Sequence, residues 1–152
     1  MSTRPLVAAI PGPEYKESFA DPKRIPNVHF LGAKPHDAIP AYIRCLDVCL
    51  IPYVVDTFTE NIFPAILNEY LALGRPVVSS ALREVRRFND SFGGVIAIAL
   101  GADGFQEAIT QALGDASPNA VARRRAVAED NSWRRRTEGM SELIEAKARV
   151  SP

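Results

Sequence analysis

Glu69-Tyr70-Leu71-Ala72-Leu73-Gly74-Arg75-Pro76-Val77-Val78-Ser79 carries a helical pattern, a stop and a strand pattern in succession. Its first half is helical in pattern: Ala65, Ile66, Ala72 and Leu73 stand three or four residues from Glu69, and all are apolar. Its middle is a stop, because Gly74 can turn left-handed and Pro76 cannot continue a helix. Its end, Pro76-Val77-Val78-Ser79, is a short apolar run of the kind that forms a covered strand. A helix, a glycine stop and a buried strand in succession form the second half of a strand–helix–strand unit.

Outward from this stretch the same alternation repeats. Apolar runs at 6–10, 28–31, 48–53, 76–79 and 95–99 predict strands, and the segments 37–46, 63–73, 83–89, 103–114, 119–130 and 133–148 predict helices. Such alternation predicts an α/β fold: a Rossmann-like parallel sheet of about five strands with helices on both faces. Pro64 suits a first helical turn, where its missing N–H is harmless. Asp103 with Gln106 has the form of a capping box, while Ser117-Pro118 and Ser132 read as openings of the last two helices. Leu143 and Ile144 are the main apolar anchors of the final helix, which therefore needs something to dock against.

With 152 residues, the size prior predicts a single domain over 1–152, with 119–150 as carboxyl-terminal helices. Lys plus Arg and Asp plus Glu are both 18, a balance that argues against a dedicated nucleic-acid binder. Two cysteines, Cys45 and Cys49, are too few for a disulfide scaffold and read as packing thiols. No membrane span or signal peptide is legible, so a cytoplasmic protein is expected. The neutral total conceals an excess of basic residues after residue 119, in Arg123-Arg124-Arg125 and Arg134-Arg135-Arg136. These triplets read as solvated helix faces, or as a surface for a partner domain or anionic membrane headgroups.

Ligands of open parallel sheets bind beyond the carboxyl ends of the strands. Three segments fall at that edge: Pro11-Gly12-Pro13-Glu14-Tyr15, the polar run from Val54 to Ile62, and Ser79-Ser80-Ala81. The middle one, with Asp56-Thr57-Phe58-Thr59-Glu60-Asn61, leads into a helix start, where free N–H groups suit phosphate and the Thr57 and Thr59 hydroxyls add donors. It also reads as a simply capped loop. Glu69 projects from an apolar stripe, so its carboxylate is either paired at the rim, for example with Arg75, or turned to ligand hydroxyls such as those of ribose. Pro64 to Glu69 is about 7–8 Å of helical rise, close enough for one ligand to meet both. His29 and His36 have no third ligand at metal spacing, and no nucleophile elbow or phosphate loop is present.

Asn27-Val28-His29-Phe30-Leu31-Gly32, Ile39-Pro40-Ala41-Tyr42 and Asp47-Val48-Cys49-Leu50-Ile51-Pro52-Tyr53 resemble the carboxyl-terminal half of retaining GT-B glycosyltransferases of the glycosyltransferase-4-like group. Pro64 through Ser79 is the most specific part, similar to the family's Pro-x-Lys-x-x-Glu-Tyr-Leu-Ala-x-Gly-x-Pro-Val-Val-Ser signature. The resemblance runs from about residue 6 to 148 and includes Asn131-Ser132-Trp133 at the closing helix. It implies a domain that binds a nucleotide-diphosphate sugar as donor substrate, with no further cofactor and no metal. Glu69 matches the glutamate that bonds the donor ribose. Thr59, Glu60, Asn61 and Pro64 fall in the loop and helix start that hold diphosphate and sugar. Two positions depart from the pattern: Ile66 stands where Lys is frequent, and Asn61 stands where a paired glutamate falls, with Glu60 one residue out of register.

The resemblance further implies that an opening strand and an amino-terminal acceptor domain lie outside this chain, since a GT-B active site forms between two domains. A donor domain without its acceptor site performs no transfer alone. The expected protein is therefore the donor-binding half of a glycosyltransferase moving a hexose-type sugar to a glycan or lipid-linked acceptor. Its partners are the nucleotide-diphosphate sugar and an acceptor domain or subunit, with self-association or peripheral membrane contact as additional options. The competing readings are a truncated or non-catalytic GT-B-like scaffold, and an unrelated receiver-like α/β domain. The strand at 48–53 ends Ile-Pro-Tyr, without an acid to phosphorylate, and weighs against the last.

Overall fold

The computed structural model describes residues 26–150, with side chains through 149. The expected strand at 6–10 and the segment 11–15 lie outside the described residues. The chain divides into two units at Tyr42/Ile43. In the first, residues 28–35 run without strand pairing, and a 3-10 turn, His36–Ala38, follows. The strand expected at 28–31 is therefore not formed here. His29 and Phe30 are exposed, and an apolar run without a ladder partner has no reason to stay pleated. Lys34 Nζ sits 5.6 Å from the centre of the Tyr42 ring.

Helix α1, Ile39–Arg44, crosses into the second unit. There follow β1 (Cys49–Ile51), a 3-10 turn (Thr59–Asn61), α2 (Ile66–Ala72), β2 (Val77–Ser80), α3 (Arg83–Ser91) and β3 (Ala97–Ala99). Helices α4 (Gly101–Ala112), α5 (Pro118–Asp130) and α6 (Trp133–Val150) complete it. The described strands form one parallel sheet in the order β1-β2-β3, three strands where about five were expected. The register pairs Cys49 with Val77, Ile51 with Ser79, and Ser79 with Ile98.

Alternation along the strands makes two cores. Val78 and Ala99 pack with Ala108 and Ala112 of α4, flanked by Leu50, Ala97, Phe105 and Ile109. Cys49, Ile51, Val77 and Ser79 therefore point to the other face, where right-handed crossovers place α2 and α3. Leu67 and Leu71 of α2, Val85 of α3 and Leu82 just before α3 are fully buried. Helices thus cover both faces, as the alternation predicted.

Local chemistry sets the helix ends. Gly74 N–H donates to Leu71 O at 2.8 Å and Arg75 N–H to Tyr70 O at 3.0 Å, the paired bonds of a Schellman stop, with Gly74 at φ +72°. The same motif closes α3 through Gly93 and Gly94. Next to it, Asn89 Oδ1 accepts from Val95 and Ile96 N–H, both at 2.8 Å, and aims the chain into β3. Ser117 Oγ caps α5 by accepting from Ala120 N–H, with Pro118 in the first turn. Ser132 Oγ accepts from Arg135 N–H at the start of α6. Two expected boundaries differ. Helix α2 begins at Ile66, so Pro64 precedes it. Helix α4 begins at Gly101 without a side-chain cap, which leaves Asp103 in the first turn, where its charge suits the dipole.

The basic triplet on α5 is not a uniform solvated face. Arg123 and Arg125 are exposed, but Arg124 is only 3% exposed. Its guanidinium is satisfied by the Asp115 carboxylate, the Asp115 carbonyl at 3.0 Å and the Gly74 carbonyl at 3.3 Å. That last bond ties α5 to the turn that ends α2. At α6 the expected docking is not made among the described residues: Leu143 and Ile144 are 70% and 66% exposed, and Trp133 and Met140 are exposed too.

Candidate functional site

The carboxyl ends of β1 and β2 are tied by Ser80 Oγ–H, which donates to Tyr53 O at 2.6 Å. Beyond Tyr53 the chain turns through Asp56. The Asp56 carboxylate accepts from Phe58 N–H (2.9 Å), Thr59 N–H (2.8 Å) and Thr59 Oγ (3.0 Å), and Asp56 N–H in turn donates to Thr59 Oγ. These bonds to the charged form, led by the Thr59 backbone amide, hold the Asp56 carboxyl below its ordinary pKa. Thr59 Oγ–H also reaches Val54 O at 2.5 Å, so this hydroxyl organises the loop. The Asp-x-x-Thr spacing, 56 to 59, is the local signal for that turn.

The 3-10 turn presents Glu60 half-buried and Asn61 exposed. Asn61 Nδ2 donates to Thr57 O at 3.1 Å, and its Oδ1 accepts from the Arg83 guanidinium. Thr57 is exposed and contributes its carbonyl to this turn. Phe63 packs its ring 5.3 Å from that of Phe88 on α3, and Phe88 packs in turn on Phe92 at 4.7 Å. This aromatic row holds the turn against α3 and brings Arg83, 22 residues away in sequence, to Asn61. Arg83 was not among the sequence candidates. Its signal was its place just after Ser79-Ser80-Ala81, at the end of a parallel strand.

Pro64 is buried between the turn and α2, and its carbonyl accepts from Leu67 N–H at 3.0 Å. Glu69 is half-buried one turn into α2. Burial pushes the neighbouring Tyr70 phenol up to about 12, with smaller electrostatic contributions in the same direction from Cys49, Glu69 and Tyr53. Burial likewise pushes the Cys49 thiol up to about 12, against a smaller opposite pull from Arg75. Arg75 directs one guanidinium nitrogen to the Arg44 carbonyl at 2.8 Å, while its Nε is buried without a hydrogen-bond partner.

The sequence candidates thus fall on one continuous segment from the end of β1 to the middle of α2, and the structure adds Arg83 from α3. A separate open cavity of about 330 Å3 lies at the opposite, amino end of the strands, lined among others by Pro76, Gly94, Gln111, Asp115 and Arg123. Among the described residues no group of three or more His, Cys, Asp or Glu is placed to hold a metal ion. No helix among them is long and apolar enough to cross a membrane.

A parallel sheet with helices on both faces and a polar loop beyond its carboxyl edge defines an open α/β domain of Rossmann-like class. Residues 4–115 match the family model described as glycosyl transferases group 1, and the chain belongs to that family. It is similar to the putative teichuronic acid biosynthesis glycosyltransferase TuaH of Bacillus subtilis (strain 168), with 35% identity over 65 residues. The matched stretch covers 43% of this chain and 16% of that relative.

Proposed function

We propose that this chain is the nucleotide-sugar donor-binding half of a GT-B glycosyltransferase that moves a hexose-type sugar to a glycan or lipid-linked acceptor. The observation that carries the reading is Glu69: a half-buried carboxylate on α2, within a stretch that matches the group 1 family. A carboxylate in that position is suited to accept from vicinal ribose hydroxyls. Glu60, Asn61, Thr57, Thr59 and Pro64 form the adjoining turn, which supplies the sugar and phosphate side of the cleft. The donor is a substrate, and the reading needs no resident cofactor.

Transfer requires an acceptor site, so the reading includes a second domain or subunit. The exposed apolar residues of α6 support such a partner, because a helix with Trp133, Met140, Leu143 and Ile144 in water gains by covering them. A cytoplasmic location, where nucleotide sugars are made, belongs to the same proposal.

The test is a titration of the isotope-labelled chain with nucleoside diphosphates, read from backbone amide signals. Shifts centred on residues 56–69, lost in Glu69→Ala, are the expected result. An unresponsive spectrum at millimolar nucleotide overturns the donor reading and leaves a non-catalytic scaffold of the same fold.

A further inference from the structure

We propose that Arg83 is the residue that takes hold of the phosphate charge of the ligand, with Asn61 as its positioning partner. This inference rests on the donor reading above and adds to it a residue from a different element.

Placement comes first. Arg83 is the first residue of α3, three residues past the end of β2, on the sheet edge where ligands of parallel α/β folds bind. The Phe63–Phe88 contact holds the 3-10 turn against this helix, so the guanidinium lies beside the turn. Its side chain is 54% exposed, which leaves donors for a ligand.

Charge comes second. The group that orients Arg83 is the neutral amide oxygen of Asn61. The amide is fixed in that sense because its nitrogen already donates to Thr57 O at 3.1 Å. A neutral partner aims the guanidinium without cancelling its charge. Among the described residues the carboxylate paired with Arg83 is Glu84, at a loose 3.9 Å, and Glu84 also pairs with Arg87 at the shorter 3.3 Å. One carboxylate between two guanidiniums leaves a net positive charge. That charge sits at the positive end of the α3 dipole, where a cation is disfavoured unless an anion offsets it.

Geometry comes third. A guanidinium presents a planar fork of N–H donors that matches phosphate oxygens two at a time. Asn61, Arg83 and the exposed turn therefore form a phosphate clamp assembled from two elements. The buried Arg124 is unsuited to the role, because Asp115 and two carbonyls already occupy it.

The test uses the full chain and five probes: uridine and UDP, adenosine and ADP as a second base, and inorganic pyrophosphate. Wild type is expected to bind UDP or ADP more tightly than the matching nucleoside, with the gain weakening as salt is raised. Arg83→Gln should lose roughly tenfold or more of the diphosphate affinity, as expected for a charge-assisted bond, and keep its nucleoside shifts near Glu69. Arg83→Lys should recover part of the loss. Asn61→Asp should lower diphosphate affinity too, because an ion pair then neutralises Arg83. Thermal unfolding of each variant checks that the fold is intact. Full-strength diphosphate binding by Arg83→Gln overturns the role of Arg83 and leaves the donor reading standing. Pyrophosphate shifts centred on Arg123 instead of the 56–61 turn also overturn it. No response of wild type to any nucleoside or nucleotide overturns the donor reading and this inference together.

Discussion

The side-chain amide of Asn131 donates to the side-chain oxygen of Asn68 at 2.7 Å, joining residues 63 positions apart. Asn68 precedes Glu69 on α2, and Asn131 caps the end of α5. Arg136 of α6 donates to the other end of the Asn131 side chain, through Nε at 3.2 Å and a terminal nitrogen at 2.7 Å. The helix that presents Glu69 is thus held from outside the sheet by the hinge between the last two helices.

Asn131→Ala removes all three bonds and leaves the half-buried Asn68 oxygen without its Asn131 partner. We expect a loss of about 1–2 kcal/mol in urea unfolding. A double-mutant cycle with Asn68→Ala should return a coupling of about 0.5 kcal/mol or more. Additive single effects would show that the contact does not bind α2 to α5.

Gly74 combines two demands. Its φ of +72° is unfavourable for any residue with a Cβ, and a Cβ there would lie 2.6 Å from Val121 Cγ1 on α5. Gly74→Ala should cost roughly 2–4 kcal/mol, the sum of a left-handed backbone and an overpacked contact. Val121→Ala in the same chain should return part of that loss, and only the overpacking part. Equal stability of Gly74→Ala and wild type would contradict the close approach of α5.

The two thiols should differ sharply in reactivity. Cys49 is buried in β1 with its thiol pushed up to about 12, while Cys45 is exposed. Iodoacetamide at pH 8 should modify Cys45 in the folded chain and Cys49 only after denaturant is added. Mass spectrometry of peptides separates the two sites, and early labelling of Cys49 would place β1 outside a stable core.

Tyr70 predicts alkaline instability. Its folded pKa, about 12, lies above the ordinary value of 10, so from pH 10 upward the unfolded chain loses its phenolic proton first. The stabilising contribution is complete below pH 10 and is lost as pH rises toward 12. Cys49 acts in the same direction from 9 to about 12. Denaturant midpoints should fall over that window, and the fall should be shallower in Tyr70→Phe. Identical slopes for the two proteins would remove Tyr70 from the explanation.

Much of the architecture was legible because it is written in local pattern. The strands containing 49–51, 77–80 and 97–99 and the six helices of the described residues follow from apolar runs, caps and glycine stops, each a matter of a few adjacent residues. Gly74 was readable as a stop for the same reason. The run at 28–31 misled because composition supplies apolar side chains and cannot supply a ladder partner. Leu143 and Ile144 were readable as helix anchors, yet what an anchor packs against is a property of neighbouring elements.

The candidate site divides along the same line. The βα alternation, the polar loop after β1 and the odd carboxylate of Glu69 in an apolar stripe are legible in the chain, because each is a spacing within one segment. Folding alone has Thr59 spend its hydroxyl inside the loop, buries Arg124 on Asp115 and Gly74, and brings Arg83 to Asn61. Those outcomes depend on how α3 and α5 pack onto the sheet, and packing across 22 or 50 residues leaves no periodic trace in the chain.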